Sequence, residues 1–265
     1  MKAIGQDFSV EPAPRWRRYV VGSGALEPGG TSLFFVNTNT CSRHYTDAQL
    51  DDYQGLARRR FPWRPPLKLM VRARFSHPAG ELVGTAGFGL WNDPFLMTGI
   101  RMPALPRAMW FFYASPPSNI KLDLHVPGCG WKAATIDALR PAAILMAPLA
   151  PCAVLLMNLR SFYRILWPPI QRTLKVQEAM IEAHMTEWHT YTIEWGVERA
   201  HFSVDGKAVL ENAPSPRGPL GFVMWLDNQY MVVTPWGRLG WGLLDAPGRQ
   251  WMEVEWLTIE PSRRG

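Results

Sequence analysis

From Leu67 to Ser76 the chain alternates between two kinds of residue. Leu67, Leu69, Val71, Ala73 and Phe75 share one face, and Lys68, Arg72, Arg74 and Ser76 the other, with Met70 the interruption. Period two predicts a strand with one buried face. Val83 to Trp91 reads as a second strand, and its three glycines predict close backbone approach or a bulge beneath a cleft. Met109–Tyr113 and Ile120–Val126 follow, separated by the turn Ser115-Pro116-Pro117-Ser118. His189–Trp195, Arg199–Val204 and Lys207–Leu210 form a meander whose second turn, Asp205-Gly206, is a strong hairpin signal. Leu220–Leu226, Tyr230–Thr234 and Trp251–Ile259 complete the set, with Met252, Val254 and Trp256 opposing Glu253 and Glu255 in the last.

About ten to thirteen short strands joined by Gly/Pro turns, without βαβ spacing, predict an all-β fold of two packed sheets. One segment breaks the pattern. From Ala138 to Gln177 the alternation gives way to Ala, Leu, Ile, Met and Val, followed by a polar, helix-like stretch from Gln171 to Thr186. The expectation is one β-sandwich domain over residues 1–265, carrying a helical insertion at 137–186.

Composition sharpens this picture. The 24 prolines and 22 glycines exclude a helical bundle, and 13 Trp, 12 Phe and 7 Tyr give an unusual aromatic load. A net charge of +6 invites a nucleic-acid reading. However, Arg140, Arg160, Arg164, Arg172 and Lys175 all fall between Ala138 and Gln177, where there is no acid, leaving 23 basic and 22 acidic residues elsewhere. The sandwich itself is near neutral, so no nucleic-acid partner is expected. Cys41, Cys129 and Cys152 lack metal or disulfide spacing, and no two of the six histidines form an HxH or HxxxH pair. Met1 to Pro14 carries Asp7 and Glu11 and no apolar core, so a cytoplasmic location is expected.

The stretch His189–Trp195 (HTYTIEW), preceded by Trp188 and followed by Glu198–Leu210 (ERAHFSVDGKAVL), resembles the strand pair of laminarinases and lichenases, glycoside hydrolase family 16. There a W/FHTYxIEW strand leads to an xIxFYVDG hairpin. The ending MEVEWLTIEP, Met252–Pro261, is similar to that family's terminal strand, and LKLMVRARF with the Gly-rich strand ending at Trp91 is similar to its early strand pair. The likeness spans roughly residues 65 to 260 outside the insertion and implies a concanavalin A-like two-sheet jelly roll with a cleft on one sheet. It also implies a structural calcium held by a terminal-strand acid, a position matched by Glu255. No other cofactor is expected. The family's catalytic strand reads E-x-D-x-x-E, with paired carboxyls roughly 5 to 5.5 Å apart for retaining hydrolysis. The matching strand here, Ala108–Ala114, reads AMWFFYA and has no carboxylate.

Candidate chemistry must therefore lie elsewhere. Asp51 and Asp52 follow His44 and Tyr45, and on a strand only one of two adjacent carboxyls can enter a cleft, where burial would raise its pKa and suit it to general-acid work. Trp91, Asn92 and Asp93 stand at the end of the Gly-rich strand. Asp227 and Asn228 follow the aromatic strand containing Trp225 and sit where the resembled family places cleft-lining strands. With Trp110 and Phe112 they outline an aromatic cleft. This composition predicts a hydrophobic ligand, isoprenoid or polycyclic, converted by an aspartic acid at Asp51, Asp52 or Asp93. The alternative is a carbohydrate-binding module or divergent glycosidase acting on β-glucan-like substrates, with Trp rings stacked on sugar faces.

Pro141 to Leu159 is nineteen residues without a charge, but Pro141, Pro148 and Pro151 interrupt it. A broken helical hairpin is expected, serving as a lid or resting on an anionic membrane. Arg160, Phe162, Tyr163, Arg164 and Trp167 then form the basic and aromatic edge that interfacial anchoring needs.

Overall fold

The computed structural model describes residues 3–10, 12–94 and 102–262. The chain opens with β1 (Ile4–Asp7), β2 (Arg17–Val21), β3 (Gly24–Pro28), β4 (Leu33–Thr40) and β5 (Asp47–Asp51). Next come β6 (Leu67–Phe75), β7 (Thr85–Trp91), β8 (Arg107–Ala114), β9 (Asn119–Ile120) and β10 (Gly130–Asp137). Three helices follow, α1 (Pro141–Met146), α2 (Ala150–Met157) and α3 (Arg160–Thr173). The remaining strands are β11 (Gln177–Met180), β12 (His189–Trp195), β13 (Arg199–Val204), β14 (Lys207–Pro214), β15 (Gly221–Asp227), β16 (Gln229–Val233), β17 (Leu239–Leu243) and β18 (Ala246–Pro261).

Two antiparallel sheets form the sandwich. One runs β14-β13-β12-β6-β18-β4-β3, with β1 also on β18, and the other β11-β10-β8-β7-β15-β5-β2. The alternation in β6 is realised in full: Leu67, Leu69, Val71, Ala73 and Phe75 are buried, and the residues between them are half-buried. Arg72 and Arg74 on that outer face pair with Glu255 and Glu253, each at 2.6 Å. Between the sheets, Phe88 and Phe111 from one meet Tyr191 from the other at 5.2 and 5.1 Å. Burial of each such ring is worth roughly 1.5–3 kcal/mol.

Two expectations need correction. In β18 the register against β6 shifts between Val254 and Trp256, so Met252, Val254, Leu257 and Ile259 face the core and Trp256 does not. A bulge of one residue resets the phase of everything after it. The strand expected over Ile120–Val126 stops at Ile120. Beyond it the chain curls around Lys121, whose ammonium donates to the Leu124 and Val126 carbonyls at 3.1 and 2.9 Å.

The insertion is helical only from Pro141 to Thr173. Helix cannot continue past Lys175, which adopts a left-handed φ of 56°. Gln177–Met180 then pairs with β10 as the edge of the second sheet instead of extending a helix to Thr186. Among the described residues no helix is long and apolar enough to cross a membrane.

Candidate functional site

Alternation assigns the faces of the second sheet. Ala86, Phe88 and Leu90 of β7, Phe111 of β8 and Phe222, Met224 and Leu226 of β15 belong to the sandwich core. Their neighbours Trp91, Phe112, Val223 and Trp225 form a second cluster on the opposite face, with Trp110 packed against it. There Trp91 and Trp225 lie nearly parallel, 6.3 Å apart and 4° between planes, and Trp110 meets both edge-on. The glycines of β7 make this possible. A Cβ at Gly87 would lie 2.3 Å from the Phe111 carbonyl oxygen and 3.2 Å from the Trp225 ring, and one at Gly89 would lie 2.6 Å from the Trp110 backbone. Here the expectation of close approach beneath a cleft holds.

Over these rings stands a cavity of about 150 Å³. Its floor is Trp91, Trp110, Phe112, Ala134, Ile136 and Trp225; opposite them are Ile120, Leu122, Met231 and Val233. Those residues come from a small third sheet, β17-β16-β9, in which β9 runs parallel to β16, and from the segment just after it. No residue of α1, α2 or α3 lines the cavity. The expected lid role therefore falls to β9 and β16. The helices support that roof from behind: Trp167 of α3 donates its indole N–H to the Leu122 carbonyl at 3.2 Å, and Leu124 packs against the same helix cluster.

Polar groups gather at two places in the wall. At one, Trp225 Nε1 donates to Thr85 Oγ1 at 2.8 Å, and Thr85 Oγ1 donates to Asp227 Oδ1 at 2.8 Å. The backbone amides of Thr85 and Gln229 add two further donors to the same oxygen, at 3.2 and 3.0 Å. Gln49 completes this part of the lining. Directly across the strand pair from Asp227 is Asp47, wholly buried, with neither carboxyl oxygen hydrogen-bonded. Burial, reinforced by the Asp227 charge, holds the Asp47 carboxyl well above its usual range. Burial likewise raises Asp227, to about 6, against the donors on its Oδ1. An isolated carboxylate is expensive in such surroundings, so the pair retains at least one proton near neutrality.

At the other place, Glu178 of β11 lines the cavity and Lys132 of β10 is completely buried beside it. Lys132 Nζ donates to Glu178 Oε1 at 3.0 Å and to the carbonyls of Ile120 and Pro127, each at 3.1 Å. This one ammonium ties the roof strand to the floor. Glu178 Oε2 is buried without a partner, and burial raises the carboxyl despite the lysine.

Asp51, Asp52 and Asp93, the carboxyls expected to act as the acid, do not line this cavity. Asp51 caps the turn after β5, accepting from the Tyr53 and Gln54 amides and from the side chains of Gln49 and Gln54. Asp52 points to the other side of the strand, as adjacent residues must, and accepts from Trp63 Nε1 at 2.5 Å and the Phe222 amide at 2.9 Å. Burial pushes it up to about 7, but it does not line the cavity. Asp93 is buried in a left-handed turn, φ 48°, with its carbonyl bonded to Arg58. Asn92 binds the Leu105 carbonyl and the Arg107 amide. Asn228 secures the 41–46 loop through Cys41, His44 and Thr46, and His44 is exposed. Tyr45 has a buried hydroxyl without a hydrogen bond, close enough to Asp47 for each to influence the other's ionisation. Trp91, Trp110, Phe112, Trp225 and Asp227 do line the cavity. Asp47, Gln49, Thr85, Lys132 and Glu178 were not anticipated. Of these, Asp47 and Gln49 carried a signal, since DAQLD at strand period puts 47, 49 and 51 on one face.

Glu255 does not fit a calcium site. Its carboxylate is paired with Arg72, and among the described residues no three His, Cys, Asp or Glu side chains converge. In the insertion, Tyr163 and Trp167 are buried, with Tyr163 edge-on to Trp236 at 4.9 Å, whereas Arg160, Phe162 and Arg164 are exposed.

No family model and no curated protein matches this chain. Solved structures do. A prokaryotic β-1,3-1,4-glucanase (lichenase) from a mouse hindgut metagenome superposes with a TM-score of 0.53 at 12% identity, covering 99% of this chain and 100% of its own. The β-glucanase of Bacillus licheniformis gives 0.52 at 9% identity, covering 99% of each. A pseudo β-1,3-glucanase of Mycobacterium tuberculosis, described as an immunostimulatory antigen, gives 0.52 at 11%, covering 98% of each. The fold is therefore the jelly-roll sandwich of laminarinase- and lichenase-like glycoside hydrolases. On β8, where the family resemblance would put catalytic acids, this chain has Trp110 and Phe112 on the cleft face.

Proposed function

We propose that the cavity binds a small, mainly apolar molecule and that Asp227, backed by Asp47, is its acid. The observation carrying this reading is the place of a raised-pKa carboxyl, Asp227, in the wall of a cavity lined mainly by aromatic and aliphatic side chains. A cavity near 150 Å³ accepts about one ring, as benzene does in cavities of that size. That favours a monocyclic or short isoprenoid compound over a polymer. A redox-neutral isomerisation fits the groups present. Asp227 donates its proton to an alkene carbon, the faces of Trp91, Trp110 and Trp225 stabilise the carbocation, and the Asp227 carboxylate removes a proton from an adjacent carbon. The carboxyl is regenerated and the double bond has moved.

The second reading is a glycan ligand. It is supported by the glucanase-type fold and by Trp faces beside Gln49, Asp227 and Gln229, which suit one sugar ring. Titration of tryptophan fluorescence with short isoprenoid alkenes and alcohols, and separately with β-glucan oligosaccharides, distinguishes the two. Saturable quenching by the isoprenoids is expected, with product formation lost in Asp227→Asn. A response to oligosaccharides alone would overturn the first reading in favour of the second.

A further inference from the structure

We infer that the helical insertion docks on the surface of an anionic lipid bilayer. One side of the insertion is seated on the sandwich through Met157, Tyr163 and Trp167, which pack with Leu124 and Trp236. The other side is bare and apolar. Leu145 is 82% exposed, Leu155 72% and Ile165 69%. The surface continues into the neighbouring hairpin, where a Cβ on Gly237 would lie 2.4 Å from the Val154 side chain and where Leu239 and Trp241 of β17 are exposed. A contiguous apolar patch of this kind marks an interaction site.

Charge decides the partner. Residues 138–177 contain five basic side chains and no acid. Arg140 pairs with Asp137 at 3.0 Å, a carboxylate it shares with Arg107 and Arg217, but Arg160 and Arg164 are exposed one turn apart on α3 and form no ion pair among the described residues. A two-fold contact through this face would set these arginines against a copy of the same segment, which has no carboxylate to meet them. An anionic bilayer supplies the opposite charge and takes up leucine and tryptophan at its interface. Helices of six, eight and fourteen residues, broken at prolines, lie in an interface and do not span it. Because Leu122 is both cavity wall and hydrogen-bond partner of α3, the docked face backs directly onto the roof of the cavity. Docking does not depend on what the cavity holds.

The full chain is sedimented with phosphatidylcholine vesicles, with and without phosphatidylglycerol, alongside the triple variant Leu145→Ser, Leu155→Ser, Ile165→Ser and the double variant Arg160→Glu, Arg164→Glu. These side chains are exposed, so both variants keep the parent melting temperature, which is measured in parallel. Anionic vesicles are expected to bind the parent about tenfold better than neutral ones, with the preference lost in the double variant and binding lost in the triple. Equal partitioning to neutral and anionic vesicles, or none to either, would overturn the inference. So would a dimer by light scattering that only the triple variant dissociates.

Discussion

Asp47 on β5 and Asp227 on β15 stand directly opposite each other across an antiparallel strand pair, both shut away from solvent. Like charges in that arrangement repel, and burial strengthens the repulsion. Both carboxyls are raised, so the stability they contribute is complete below the unfolded pKa near 4. It is lost as pH rises through the folded value, about 6 for Asp227. Asp47→Asn removes one charge without breaking a hydrogen bond, since neither Asp47 oxygen makes one. The variant is expected to gain on the order of 1–3 kcal/mol over the parent at pH 8 and little at pH 4, measured by urea unfolding at both. A gain independent of pH would show that the carboxyls do not interact as described.

Gly87 is where the backbone must stay bare. A methyl group there meets the Phe111 carbonyl oxygen at 2.3 Å and the Trp225 ring at 3.2 Å. The carbonyl belongs to the neighbouring strand and cannot swing aside as a side chain would. Gly87→Ala is expected to cost about 1–3 kcal/mol through overpacking and to disturb the near-ultraviolet circular dichroism of the tryptophan cluster. Gly206→Ala provides the contrast: it has open space around it but φ 77°, so its loss comes from backbone strain and leaves that spectrum intact.

The parts of this molecule that the sequence makes legible are those in which neighbours along the chain suffice. Leu67–Phe75 and His189–Trp195 announce a buried face by period two, and the insertion announces itself by losing that period. The roof was not legible, because β9 is two residues long and is held by a parallel pairing to β16, more than 100 residues away. Alternation in DAQLDDY placed Asp47, Gln49 and Asp51 on one face, but only the register against β15 decides that Asp47, and not Asp51, faces Asp227. Lys132 is the extreme case. Nothing local in GWKAATID distinguishes a solvated lysine from one fully buried between two strands and a carboxylate. In α3 the one-turn spacing of Tyr163 and Trp167 separates them from Arg160 and Arg164, so a single basic and aromatic edge divides into a seated side and an exposed one.

Lys132 and Glu178 should be far more costly to break than to replace together. Glu178→Ala leaves a buried ammonium with only carbonyl partners, and a loss of about 3–5 kcal/mol is expected. Lys132→Met with Glu178→Leu removes both charges and should recover much of that loss in chemical unfolding. It also releases the Ile120 and Pro127 carbonyls from the floor. Amide exchange over residues 119–124 is therefore expected to rise in the double variant even where global stability returns. Unchanged protection there would mean that the lysine does not tie down the roof.

Ala134 is the most direct handle on the cavity. It sits on β10 opposite Trp110 on one side and Glu178 on the other, is nearly buried, and contributes only a methyl group to the cavity floor. Ala134→Leu adds three carbons to a space of about 150 Å³ that they can enter without displacing backbone. Burial of those carbons favours folding by about 0.8 kcal/mol each, and imperfect fit opposes it by a comparable amount. Net stability should therefore change by no more than about 1 kcal/mol. Affinity for an apolar ligand in the cavity should fall at least tenfold, because the ligand and the leucine compete for one volume. The same isoprenoid titration that reports binding in the parent measures this. Undiminished affinity in a stably folded Ala134→Leu would place the ligand elsewhere and remove Asp227 from its chemistry.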